Sequence, residues 1–237
     1  MSASAERLRD PQQRTERATR ILDAAADLLA RHGYRRVTID DVAAEAGIGK
    51  GTVYLHWKTR EQLFGAVFGR EVLYAIDELR QALGRDPQVC LLHRFARTYF
   101  VAIANRPLLR GFLLGDADLL GKLADSRDAA RDDRHAAMAR GYFELLSERG
   151  LLRADMDADE VGYAYQATFE GFLRAEASAP AEGLERRADL LARTVRQAFE
   201  REPATPDGAL RDLAAAVVAL LTGLIDADRA ESGIPQS

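Results

Sequence analysis

The chain has 237 residues, 47% of them hydrophobic and 30% charged, with a formal net charge of −4. The length suits one large core or a small head joined to a larger body, and the composition excludes the low-hydrophobicity signature of disorder. The acidic total offers no overall attraction to a polyanion, so a nucleic-acid function must rest on local charge.

Local charge does differ. Residues 1–61 carry 11 basic and 9 acidic side chains, net +2, against net −6 for the remainder. Cys90 is the single cysteine, which excludes an intramolecular disulfide and fits a reducing cytosol. Its apolar setting, Val89 to Leu92, reads as a buried hydrophobe rather than a nucleophile. The stretch MSASAERLRDPQQR has no apolar run of the secretory kind, and the longest nearly apolar run, Ala214 to Ile225, is shorter than the ~20 residues that span a bilayer. A cytoplasmic location with no membrane partner is therefore expected.

Apolar residues recur at spacings of three and four throughout, and no stretch alternates with period two, so the expected class is all-α. Residues 1–13 are expected to form a flexible arm. A first helix from Thr15 to His32 buries Ile21, Leu22, Ala25, Leu28 and Leu29 and stops at Gly33. Residues 38–57, TIDDVAAEAGIGKGTVYLHW, read as two short helices around a tight turn. Thr38 is a good N-cap with Asp41 three residues on, Val42 and Ala43 face inward, Gly47 takes the turn and Ile48 plugs the corner. On the second short helix Val53 and Trp57, four apart, face the core. That leaves Lys50, Thr52, Tyr54 and His56 outward, a cation, hydroxyl, phenol and imidazole with no packing reason to be there, suited to phosphate oxygens and base edges. Small Gly49 and Gly51 allow close backbone approach to a duplex, and Lys58 adds a phosphate contact.

Thr59 then caps a long helix carrying Leu63, Val67, Val72, Ile76, Leu79 and Leu83, expected to join head to body. Asp86-Pro87 opens the next helix, and Arg106-Pro107 ends it. Helices follow from about Ser126 to Arg149, over residues 158–177, over residues 184–200 and from Asp207 to Ala227. The last presents two apolar stripes, where a surface helix needs one, so it is either central to its domain or shared between two subunits. The domains expected are a DNA-binding head at residues 14–74, a helical body at residues 75–231, and a flexible tail at residues 232–237.

Rival chemistries fit less well. Gly47 to Thr52 fails the phosphate-loop pattern, because Gly51 follows Lys50 where Ser or Thr is required and Ala44 stands where the first glycine belongs. Asp128, Asp132 and His135 could share a metal-ligand face, but Arg127, Arg131 and Arg134 interleave with them, which favours a salt-bridged solvated face. No catalytic residue, metal site or cofactor is assigned. Ten aromatics, Phe95, Tyr99, Phe100, Phe112, Tyr142, Phe143, Tyr163, Tyr165, Phe169 and Phe172, serve core packing or line a pocket between helices for an apolar or aromatic effector. Phe95, Tyr99, Phe112, Tyr142, Tyr165, Phe169 and Phe172 are the candidate ligand-binding set.

From Arg20 to Leu63 the chain resembles the TetR family of bacterial regulators. The matching stretches are Ile21-Leu22-Asp-Ala-Ala, Gly33-Tyr34, Thr38-Ile39-Asp-Asp-Val42-Ala43, Ala46-Gly47-Ile48, Gly51-Thr52-Val53-Tyr54, His56-Trp57 and Glu61-Gln62-Leu63. The resemblance implies base contacts from Lys50, Gly51 and Thr52, phosphate contacts from Tyr54, His56 and Lys58, and capping against the DNA backbone by Thr38. Trp57 stands where Phe is usual and Arg60 where Lys is usual, with a phosphate contact still expected of Arg60. Asp40 is a further concern, since a carboxylate near DNA repels phosphate unless it accepts from a cytosine amino group or faces solvent. The resemblance further implies a homodimer on palindromic double-stranded DNA, repression relieved by a small-molecule effector, and a dimer interface from the last three helices. The alternative is a helical small-molecule-binding or enzymatic protein with a non-functional DNA-binding head.

Overall fold

The computed structural model describes residues 11–116, 129–180, 182–201 and 207–232. Among them are ten α-helices: α1 Pro11–His32, α2 Ile39–Glu45, α3 Lys50–His56, α4 Arg60–Arg85, α5 Leu92–Ala104, α6 Pro107–Leu113, α7 Ala129–Glu148, α8 Ala158–Glu176, α9 Leu184–Phe199 and α10 Asp207–Ser232. No strand occurs among the described residues, so the chain is all-α as its apolar spacing implies. The rest of the expected arm and tail, residues 1–10 and 233–237, and Asp128 of the candidate metal face lie outside the described residues.

Two apolar cores divide the chain. The head core gathers Ile21, Leu22, Ala25, Leu28 and Leu29 of α1, Val42 and Ala43 of α2, Val53 and Trp57, and Leu63, Phe64, Val67 and Phe68 of α4. The body core takes Val72, Ile76, Leu79 and Leu83 from the same α4 and packs them against α5, α7, α8, α9 and α10. One helix therefore contributes to both cores, and the changeover falls between Phe68 and Val72. Arg70 sits there, only 5% exposed, with its Nη1 donating to Asp23 Oδ1 of α1 at 2.7 Å. Burying most of a Leu or Phe is worth ~1.5–3 kcal/mol, so a helix shared this way couples the two cores mechanically.

The body contributes to the head as well. Leu108 of α6 is part of the head core, and Phe112 stacks on Phe68 with ring centroids 5.3 Å apart. Behind them, Arg106 at the α5–α6 corner bonds Glu78 of α4 at 2.8 Å.

Two details differ from expectation. Asp86-Pro87 opens a 3-10 turn, Pro87–Cys90, rather than α5 itself, because Asp86 caps Gln88 N at 2.9 Å and Leu91 adopts extended backbone. Arg106-Pro107 ends one helix and at once starts another, since proline suits a first helical turn. As for α10, it is long and apolar enough by composition to cross a membrane, and much of both stripes packs in this chain's own core. Leu210, Leu213, Val217 and Leu224 on one stripe, and Ala214, Leu221 and Ile225 on the other, are buried. Leu220 on the first stripe and Val218 on the second are only partly buried, so packing within this chain covers most but not all of the two stripes.

Arg134 and His135 of α7 both bond Asp228 of α10, which is buried. Burial opposes ionisation of this carboxyl, but hydrogen bonds from His135 and Arg134 outweigh it and hold its pKa below the usual value. The face read as solvated in the sequence thus pins two helices together.

Candidate nucleic-acid interface

The interface is built by α2, α3 and the turn between them. Thr38 caps α2: its hydroxyl accepts from Asp41 N at 3.2 Å, and Asp41 Oδ2 in return accepts from Thr38 N at 2.8 Å. These bonds lower the Asp41 pKa, so the carboxylate stays charged at the positive end of the helix. α2 ends in a Schellman motif, with Gly47 N–H on Ala44 O at 3.1 Å and Ile48 N–H on Ala43 O at 2.9 Å. Gly47 lies at φ 65°, a region that strains other residues. Ile48 packs against the head core, closing the corner.

α3 then runs with Val53 fully buried and Trp57 8% exposed at its C-cap. Lys50, Gly51, Tyr54 and Lys58 are exposed, and Thr52 and His56 are half-buried. Lys50, Thr52, Tyr54 and His56 therefore stay outside the head core that takes up Val53 and Trp57. At Gly51 an added side-chain carbon would meet no atom within 4 Å, so packing does not demand glycine there. The Lys58 Nζ donates to the Tyr54 carbonyl at 3.3 Å, which lays its charge along the end of α3.

His56 stacks on Trp57 with centroids 5.4 Å apart. Its pKa is lowered by burial first, then by the charges of Arg14 and Arg17 on α1. Sequence reading missed these two arginines. They lie some forty residues from His56 along the chain, and only the crossing of α1 past α3 brings their charge to it.

Two further side chains have partners within the head. Asp40, read as a liability, forms an ion pair with Lys50, Oδ2 to Nζ at 2.7 Å. Arg60, expected at a phosphate, also has partners within the head: its guanidinium donates to the Tyr34 carbonyl and lies 4.1 Å from the centroid of the Tyr34 ring, a cation–π contact.

The aromatic set divides in the body. Phe95 stacks on Tyr142 at 4.4 Å, Tyr99 and Tyr165 stack on Phe169, and Phe100 meets Phe169 and Phe172 edge-on. Phe143 meets Tyr165 edge-on at 5.5 Å. Phe112 lies apart, on Phe68 of the head core, and Tyr163 is 82% exposed. Helical spacing shows that these rings share an apolar character, but not which neighbouring helix each one meets. Cys90 is buried, its thiol raised to about 11 chiefly by burial, which leaves it unreactive at neutral pH.

Residues 21–67 match the model of bacterial regulatory proteins of the tetR family. An HTH-type transcriptional regulator of Mycobacterium tuberculosis is 42% identical over 64 residues, covering 27% of this chain and 32% of that protein. An HTH-type transcriptional repressor of the same organism is 42% identical over 62 residues, 26% of this chain and 33% of that protein. The chain thus spans about a third of the length of the curated relatives it matches. In fold it is similar to SmeT, the repressor of the Stenotrophomonas maltophilia multidrug efflux pump SmeDEF, and to SmeT in complex with triclosan. Each has a TM-score of 0.54 and 21% identity over 81% of this chain, covering 94% and 96% of the respective SmeT chains. Residues 21–67 thus carry a helix-turn-helix head similar in sequence to bacterial regulatory proteins of the tetR family, on an all-helical chain similar in fold to SmeT.

Proposed function

We propose that this chain is a cytoplasmic, sequence-specific DNA-binding regulator, a homodimer that represses transcription from a palindromic operator and releases it on binding a small apolar or aromatic ligand. The observation that carries the reading is α3 itself: its buried side is Val53 and Trp57, while Lys50, Thr52, Tyr54 and His56 lie outside the head core beside exposed Leu55. Lys50, Gly51 and Thr52 read base edges, Tyr54, His56 and Lys58 hold phosphates, and Thr38 abuts the DNA backbone at the start of α2. Arg14 and Arg17 add positive charge beside His56. Arg60, held on Tyr34, supports the head.

Release works through the shared helix. A ligand among Phe95, Tyr99, Tyr142, Tyr165, Phe169 and Phe172 bears on α5, whose continuation α6 inserts Leu108 and Phe112 into the head core. Displacing α6 and α4 alters the separation of two heads that must meet half-sites about 34–36 Å apart. Phe112 is then a coupling residue rather than a pocket residue. The repressors named above, and the triclosan complex of SmeT, support repression and ligand response in this chain.

The test is binding to the duplex upstream of the protein's own reading frame across about 50–200 mM salt. Affinity falls log-linearly with salt and exceeds that for an unrelated duplex if the reading holds. Salt-insensitive binding, or equal affinity for both duplexes, contradicts it and favours a ligand-binding body with a vestigial head.

A further inference from the structure

Three near-parallel rings form the centre of the body. Phe169 of α8 lies between Tyr99 of α5, at 5.8 Å and 20°, and Tyr165 of α8, at 5.7 Å and 29°. The third tyrosine of the neighbourhood, Tyr142, is satisfied, its hydroxyl donating to the Cys90 carbonyl at 2.9 Å. The hydroxyls of Tyr99 and Tyr165 have no hydrogen-bond partner among the described residues.

Neither ring is sealed, since both keep accessible area. Burial pushes the Tyr99 phenol up to about 12 and that of Tyr165 further still. Among the described residues no ionised side chain perturbs either phenol: burial alone perturbs Tyr99, and beyond burial only Tyr99 perturbs Tyr165. Phenylalanine would stack equally well at both positions, so the two hydroxyls are unexplained by packing. A phenol has one proton to donate, and both hydroxyls leave it available to an acceptor outside the described residues.

We propose that the Tyr99 and Tyr165 hydroxyls are paired donors selecting effectors that are neutral, planar and largely apolar and that carry an acceptor oxygen, such as a carbonyl, beside the Tyr99–Phe169–Tyr165 stack. The inference rests on the preceding reading only in placing the effector within the body. An anionic ligand is disfavoured because its charge would enter an apolar space with no counter-charge.

The test is calorimetry on the full chain without DNA, using 2-acetylnaphthalene, 2-ethylnaphthalene and 2-naphthoate, which share one ring system. The ketone binds about tenfold more tightly than the hydrocarbon, one net hydrogen bond's worth, and the carboxylate binds weakest. In the double variant Tyr99→Phe with Tyr165→Phe the ketone loses its advantage while 2-ethylnaphthalene binds as before. A thermal melt of that variant shows that the rings still pack. Equal binding of ketone and hydrocarbon, an advantage that survives the double variant, preferred binding of the carboxylate, or no binding by any probe overturns the inference. Equal loss for ketone and hydrocarbon in the double variant assigns the tyrosines to packing and also overturns it. Because DNA is absent, each of these failures is separate from failure of the regulator reading, which the salt titration decides.

Discussion

Lys50 of α3 and Asp40 of α2 are joined across the helix-turn-helix by an ion pair of 2.7 Å, with the two side chains 48% and 65% exposed. So exposed a pair contributes little to stability. Its weight falls on DNA binding, because Lys50 must leave or share Asp40 to reach a base or phosphate. Asp40→Asn therefore tightens binding to DNA, by roughly 2–5-fold, with the larger gain on non-specific duplex. Fluorescence anisotropy on cognate and unrelated duplexes checks both affinity and the loss of discrimination.

Gly51 lies in an exposed helix with open space where a side chain would go. In the free protein Gly51→Ala stabilises, by about 0.5–1 kcal/mol, through helix propensity. On DNA the added methyl meets the duplex and affinity falls, by roughly tenfold. Stability rising while binding drops, measured by denaturant melts and DNA titration, separates a contact from a fold requirement.

His56 has a pKa depressed by burial and by Arg14 and Arg17, so the free protein carries it neutral at pH 7. A phosphate alongside favours the protonated ring, raising its pKa in the complex, and binding then takes up a proton. DNA affinity accordingly increases as pH falls from above the bound-state pKa toward the depressed free-state value. The His56→Gln variant loses that increment while its affinity at pH 8 changes little. Titrations at pH 8, 7 and 6 read the difference.

Phe112 stacks on Phe68 and brings α6 into the head core. Phe112→Ala removes a half-buried ring and costs roughly 2 kcal/mol of stability. Ligand affinity measured without DNA stays near wild type, since the aromatic set lies elsewhere, while the ligand's ability to weaken DNA binding falls. A ligand affinity that drops in parallel with stability would return Phe112 to the pocket.

The helices of this chain were legible where their signals are local. Thr38 with Asp41, Thr59 with Gln62, and the buried pair Val53 and Trp57 lie within one turn of each other, so spacing alone orders them. Contacts between distant segments were not legible. Arg70 on Asp23, Arg134 and His135 on Asp228, and Phe112 on Phe68 join residues from different helices. Periodicity states which face of a helix is apolar, not which helix covers it. For the same reason the partners of Arg60 within the head were not legible. Its sequence position beside Lys58 suggested phosphate, but the Tyr34 carbonyl and ring that hold it come from the loop after α1.

The central claim is that the outward side of α3 grips DNA, and the most direct measurement is operator affinity of the double variant Lys50→Ala with Tyr54→Ala. Both residues are exposed and outside the head core, so the thermal melt stays near wild type. Losing a base contact and a phosphate contact predicts at least a hundredfold weaker binding, from ~1–3 kcal/mol per base contact with the phosphate loss added, and a smaller salt dependence. Unchanged affinity in a folded double variant would contradict the assignment of α3 as the element that grips DNA.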